Sequence, residues 1–174
     1  MVMIDSFEAN REAWSLLSTA LDPRDPPASA RERLLSEISG PARYAPFAPA
    51  IARHFDLDGV ASRALLARVP DPTAWTAGVE PILGFMHFKP GPRLGRAHCG
   101  LVRMKSGMRV PAHRHRDREL SYVLEGLLFD DEGHEYGPGG VIDMPAGSIH
   151  VLHVAREADA LVAVAQARTD FLGI

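Results

Sequence analysis

The chain has 174 residues, 46% of them hydrophobic and 24% charged, which is enough for one compact core and too few for a large multidomain assembly. A net charge of -3, with no basic excess, excludes nucleic acid as the default partner. Cys99 is the only cysteine, which excludes an internal disulfide framework or a Cys-rich zinc module and fits a reducing, cytoplasmic setting. No stretch approaches the ~20 apolar residues that span a bilayer. The N-terminus has no basic start followed by an apolar run, so neither a membrane nor export is expected.

Taken in chain order, Ala13, Leu16, Leu17, Ala20 and Leu21 recur at helical spacing and predict a helix from about Ser6 to Leu21. Three prolines between Asp22 and Ala28 predict an extended connector. Ser29-Ala30-Arg31-Glu32 then has the form of a capping box and opens a short helix to Ser39, with Gly40 as its C-cap. Phe47 to Phe55 and Val60 to Val69 read as a helical pair, with Asp58 as N-cap of the second. The pair has the layout of a helix-turn-helix, which would place Arg63 and Arg68 near a DNA major groove. Its second helix carries few cations and its flanks are acidic, so a helical hairpin that packs its apolar faces together is the stronger account. Trp75, just past the pair, reads as a core or domain-interface anchor rather than a ligand platform.

From about Pro81 the punctuation changes, with glycines recurring roughly every eight to twelve residues. Eight predicted strands follow: Ile82 to Lys89, Ala97 to Met104, Arg109 to His115, Leu120 to Leu124, Leu127 to Phe129, Val141 to Met144, Ile149 to Val154 and Leu161 to Ala167. Short strands at this spacing predict an antiparallel sandwich or barrel. The expected organisation is a helical region over residues 1–80 and a β barrel over 81–174. Up to Glu80 there are 8 Lys and Arg against 11 Asp and Glu, and from Pro81 onward 11 against 11, so the acidity lies in the helical half.

Chemistry concentrates in the barrel half. His113 and His115 are two residues apart on one predicted strand, so both imidazoles project from the same face. Glu119 follows the break at Arg116-Asp117-Arg118 and begins the next strand, where an antiparallel return brings its carboxylate back alongside them. The turn at Pro145-Ala146-Gly147 feeds the strand that carries His150, a third imidazole. A single histidine is commonly a surface or hydrogen-bonded residue. Two on one strand face with a following carboxylate are better explained by a metal, because without one each polar group needs its own partner. His113, His115, Glu119 and His150 are therefore the candidate metal ligands.

Other polar residues are read more plainly. His153, three positions beyond His150, falls on the opposite strand face. His98 is a weaker candidate for lining the cavity, and Cys99 reads as a small buried apolar residue. Arg114, Arg116 and Arg118 read as a solvated edge rather than an anion trap. Glu125 reads as a turn-adjacent surface charge, and Asp130, Asp131 and Glu132 as a hairpin tip rather than a calcium loop.

At these residues the sequence resembles the cupin superfamily. Gly107-x5-His113-x-His115-x3-Glu119-x6-Gly126 matches the first cupin motif in every position, and Gly139-x5-Pro145-x-Gly147-x2-His150 the second. The second motif usually ends in Asn four residues after its histidine, where Val154 stands here. The resemblance implies a mainly β protein: a cupin double-stranded β-helix, or jelly-roll barrel, preceded by a small α-helical N-terminal region. It also implies a divalent metal held by the same four residues, and a homodimer.

A narrower resemblance adds Val123-Leu124-Glu125-Gly126, Phe129-Asp130-Asp131-Glu132 and Tyr136-Gly137-Pro138-Gly139. With these the barrel is similar to the C-terminal cupin domain of ChrR-type anti-sigma factors. The proline-rich run from Asp25 to Leu35 is similar to the lead-in of such proteins. This likeness implies a regulatory or sensory role, zinc as the first expectation, and a sigma factor as partner. The N-terminal domain of that family binds zinc through histidines and a C-x2-C pair, whereas no cysteine precedes Cys99 and the first histidine is His54. Three nitrogens and one oxygen also suit iron, manganese or nickel, so a cupin dioxygenase or related metal-dependent enzyme acting on a small molecule is the alternative.

Overall fold

The computed structural model describes residues 15–16, 25–167 and 169–172. The chain divides into two compact units, Met1–Ile38 and Ser39–Ile174. The expected helix from Ser6 to Leu21 falls largely outside the described residues; Ser15 and Leu16 are helical.

Helix α1 spans Ala28–Ser39 and leaves Leu34 and Leu35 exposed. It begins one residue before the predicted cap, so Ser29 stands within its first turn, and the N–H of Ala30 is already bonded to the carbonyl of Pro27 at 2.7 Å. Gly40 is extended (φ -80°, ψ 175°) and not a left-handed C-cap; it leads instead into 3-10 turns over Pro41–Phe47, which start at a proline. Helices α2 (Ala48–Phe55) and α3 (Gly59–Ala67) follow as the expected pair. Asp58 caps α3 as anticipated, accepting from the N–H groups of Val60 and Ala61 at 2.8 and 2.7 Å. Asp56 ends α2 in the left-handed region (φ 54°), which Asp tolerates better than most residues. Its carboxylate accepts from the backbone N–H and Nε of Arg93 at 2.9 and 2.6 Å and ties the helix to the loop between residues 88 and 98, within the barrel half.

Beyond the helical pair the described residues form eleven strands: β1 Thr76–Ala77, β2 Ile82–Phe88, β3 His98–Met104, β4 Arg109–His115, β5 Glu119–Glu125, β6 Leu128–Asp130, β7 Glu135–Tyr136, β8 Val141–Met144, β9 Ile149–Val154, β10 Ala160–Gln166 and β11 Thr169–Phe171. They form two sheets, ordered β1-β2-β3-β10-β5-β8 and β11-β4-β9-β6-β7, and every pairing is antiparallel. The fold is mainly β, as expected. Side chains from both sheets, among them Met104, Val123, Leu128, Ile142, Leu152 and Val162, meet in the interior. Val154, which replaces the Asn of the motif, pairs with Leu128 and is buried in that interior.

The outer face of the first sheet is buried as well. Ile51 and Phe55 of α2 and Leu65 and Leu66 of α3 pack with Met86, Leu101, Leu120, Tyr122, Leu161 and Ala163 of the strands. This explains why β5 is buried at six successive positions and does not alternate: one parity faces the barrel interior and the other faces the helices. The helical pair thus uses its apolar faces to cover a sheet, and Arg63 and Arg68 are exposed. Trp75 anchors the following turn as expected, donating its Nε1–H to the carbonyl of Val69 at 3.0 Å beneath the Arg103 guanidinium.

The glycines of the two motifs, Gly107, Gly126, Gly139 and Gly147, all have positive φ. Gly126 is the most constrained, because a Cβ there would lie 2.7 Å from the carbonyl oxygen of Asp159 and 2.8 Å from Cα of Ala160. Gly126→Ala should therefore combine left-handed strain of about 1–2 kcal/mol with an overpacking cost of about 1–3 kcal/mol. Gly133 has φ +88° and open space around it, so Gly133→Ala should lose only the strain, about 1–2 kcal/mol. Denaturant unfolding of the two variants measures the difference, and equal losses would contradict the close approach at Gly126.

Candidate metal centre

The four predicted ligands converge. Strand β4 alternates so that His113 and His115 both face the barrel interior, 4% and 0% exposed. His150 of β9 is the cross-strand register partner of His113, and their Nε2 atoms lie 2.9 Å apart. The ring centroids of His113, His115 and His150 are separated by 4.5 to 4.9 Å. Glu119 joins them by a route other than the expected antiparallel return. Strands β4 and β5 belong to different sheets, so the Arg116-Asp117-Arg118 turn crosses between sheets, and the carboxylate approaches from the wall opposite the histidines. Its Oε2 lies 3.3 Å from Nδ1 of His115.

One donor atom from each of the four side chains lies within 4.8 Å of the others, and all four residues are buried. Bond lengths of about 2.0–2.2 Å put the donors of one tetrahedral ion roughly 3–4 Å apart, so the widest pairs of this group would draw together by up to about 1 Å on binding. Both ring nitrogens of His115 and Oε2 of Glu119 are buried with no hydrogen-bond partner, a costly state that a shared cation relieves. Nδ1 of His113 lies 2.8 Å from the carbonyl of Pro111. A carbonyl can only accept, so Nδ1 carries the proton and the Nε2 lone pair of His113 points at the cluster. The residues present therefore fit a divalent transition metal.

Burial, with the nearby His113, pushes His115 down to about 4. Burial, with His113 and His115, does the same to His150. Both imidazoles are thus held neutral, the form that ligates a metal. Burial pushes Glu119 up to about 7, against the opposing hydrogen bond from Ser121.

The remaining histidines lie outside the cluster. His153 stacks on Phe129 with centroids 5.0 Å apart, consistent with its opposite strand parity. His98, the weaker cavity candidate, is exposed and pairs in register with Gln166. Cys99 is buried, and burial pushes its thiol up to about 11, which fits a small apolar role. Arg116 and Arg118 are engaged at the surface with Asp170 and Asp143, and Glu125 pairs with Arg43.

The acidic run is a hairpin tip, as expected. The Asp130 carboxylate accepts from the N–H groups of Glu132 and His134 and from the Tyr136 hydroxyl, and it contacts the His134 ring. The hydrogen bond and charge of Asp130 raise His134. Burial pushes Asp130 up, but the backbone N–H and ring of His134 and the Tyr136 hydroxyl outweigh it and hold the carboxyl below its usual range. The stabilisation carried by His134 is present below the ordinary midpoint of ~6.5 and is lost as pH rises through the raised one. That carried by Asp130 is present above its ordinary midpoint of ~3.9 and is lost in stronger acid. An NMR titration should place His134 above ~6.5 in the native chain and back toward that value in Asp130→Asn; an unchanged midpoint in the variant would remove Asp130 as the cause.

A family model described as the ChrR cupin-like domain matches residues 66–170. The complex of SigE with the anti-sigma ChrR from Rhodobacter sphaeroides is similar at 18% identity and a TM-score of 0.52, covering 95% of this chain and 82% of that one. An RmlC-like cupin protein from Ralstonia eutropha is similar at 20% identity and 0.49, over 57% of this chain and 66% of that one. An acetylacetone dioxygenase from Acinetobacter johnsonii is similar at 9% identity and 0.49, over 59% and 74%. No curated protein matches the chain. At 18% identity the likeness to the SigE–ChrR complex speaks for the fold alone, while the family match covers more than half of the sequence, from the end of α3 to β11. The chain belongs to the family of ChrR cupin-like domains.

Proposed function

We propose that this chain is a metal-binding regulatory or sensory protein, in which His113, His115, Glu119 and His150 hold one divalent transition metal within the barrel of residues 81–174. The observation that carries this reading is the buried cluster whose His115 nitrogens and Glu119 oxygen have no other partner. Zinc is the first assignment, since three nitrogens and one oxygen make a closed tetrahedral set. Iron, manganese and nickel remain compatible with the same donors.

The partner we assign is a sigma factor, in a homodimeric, cytoplasmic protein. The similarity of this fold to ChrR in its complex with SigE supports that assignment. No described helix is long and apolar enough to cross a membrane. The chain has no cysteine before Cys99, so sigma-factor binding here would not use the His/Cys zinc site of that family's N-terminal domain. Residues 1–80 would bind the sigma factor without a Cys-containing zinc site.

Thermal unfolding tests the metal part. An ion that binds only the folded chain stabilises it by about 4 kcal/mol at a thousandfold excess over its Kd. Zinc should therefore raise Tm and a chelator should return it; an unchanged Tm contradicts metal binding. Co-purification of an alternative sigma factor with the chain tests the partner, and its absence with a fully metallated protein counts against the regulatory role. A second reading, a metal-dependent enzyme, is favoured by one observation: an apolar cavity reaches His113 and Glu119. Bound iron with substrate-dependent oxygen uptake would establish it.

A further inference from the structure

The interior between the two sheets is incompletely filled. A pocket of about 490 Å³ opens there to solvent at one end. Its size is within the ~300–1,000 Å³ usual for small-molecule sites. The walls are hydrocarbon and thioether, from Val102, Met104, Met108, Val110, Val162 and Val164. His113 and Glu119 also line it, and Ser121, Gln166 and Thr169 supply the other polar side chains. No Lys, Arg or Asp is among the described lining residues.

We propose that this cavity binds a small amphipathic molecule: a hydrocarbon body among the valines and methionines, and a single oxygen-bearing head at the His113 and Glu119 end. The wall chemistry selects this class. A sugar would bring several hydroxyls against carbon, each losing its water without a replacement hydrogen bond. A phosphate, or a second charged group, would find no guanidinium or ammonium on the walls. Apolar surface transferred from water into the cavity is favourable throughout its length. Phe171 marks the entrance: it lines the cavity, its ring lies 5.6 Å from that of His113, and it is 53% exposed. The head's position rests on the metal reading above, whereas the pocket for the body does not.

The test is displacement of the neutral dye Nile red from the purified full chain, with metal content measured on the same samples. Decanol or decanoic acid should displace the dye at one saturable site, and glucose 6-phosphate should not. Val164→Phe fills the cavity from β10 and should weaken decanol binding at least tenfold, with metal content and circular dichroism unchanged. Val110→Phe fills it from β4 and provides the same readout if the first variant does not fold. Displacement by glucose 6-phosphate but not decanol would overturn the ligand class. Equal decanol affinity in the native chain and a folded filling variant would overturn the site. A chain that takes decanol but holds no metal contradicts only the metal reading, and one that holds metal but takes no decanol contradicts only this inference.

Discussion

His113→Ala and His150→Ala should each weaken zinc binding by more than about 100-fold, since loss of even a group that merely orients a ligand costs ~10–100-fold. The two rings face each other across the β4–β9 ladder with Nε2 atoms 2.9 Å apart. Removing either deletes a nitrogen from the centre without touching the backbone pairing that holds its neighbours. The barrel should stay folded, because each substitution also removes a buried imidazole from a group that already contains unpartnered polar atoms. Competition against a chromogenic chelator measures the affinity, and circular dichroism the fold. Native affinity in both variants would reject the ligand set.

The second large effect lies on the far side of the first sheet. Phe55→Ala should destabilise the chain by about 3–5 kcal/mol, the usual range for removing a fully buried aromatic ring. Phe55 is 0% exposed and meets the ring of Phe88 edge to face at 5.4 Å, so its loss opens a cavity between α2 and the sheet. Val60, on α3, is 71% exposed, and Val60→Ala should shift stability by less than about 0.5 kcal/mol. Urea unfolding of both variants compares them. A loss at Phe55 no larger than at Val60 would mean that the helical pair does not hold the outer face of the sheet.

Much of this was legible in the sequence, for identifiable reasons. Strands β4, β8 and β9 begin and end where the alternation and turn residues put them, because turns at Gly107, Pro145 and Gly147 bound their ends. The three strands without a sequence signal, β1, β7 and β11, have two or three residues, too few for a period of two to register. Gly40 and Ser29 misled because propensity for a cap says little about a helix end whose neighbours are prolines. The convergence of the four polar side chains follows from spacing along β4, β5 and β9. The entry of Glu119 from the opposite sheet does not, since it depends on a crossover that spacing alone leaves undetermined.

The cover of the first sheet had a readable trace. Glu119-Leu120-Ser121-Tyr122-Val123-Leu124 and Ala160-Leu161-Val162-Ala163-Val164-Ala165 carry apolar residues at both parities, the pattern of strands buried on two faces. That the helical pair upstream supplies the cover, rather than packing its apolar faces only against each other, is seen in the structure. The interior cavity had no such trace, because a volume left between Val102, Val110 and Val164 is a property of how two sheets pack and of no single segment.

Elemental analysis of protein purified without a metal-affinity column is the decisive measurement for the metal centre. About one equivalent of a transition metal per chain, with zinc leading, is the expected result for a single closed site of this donor set. Metal-free protein that takes up no zinc, iron, manganese or nickel when these are supplied would mean that His113, His115, Glu119 and His150 do not form a metal site.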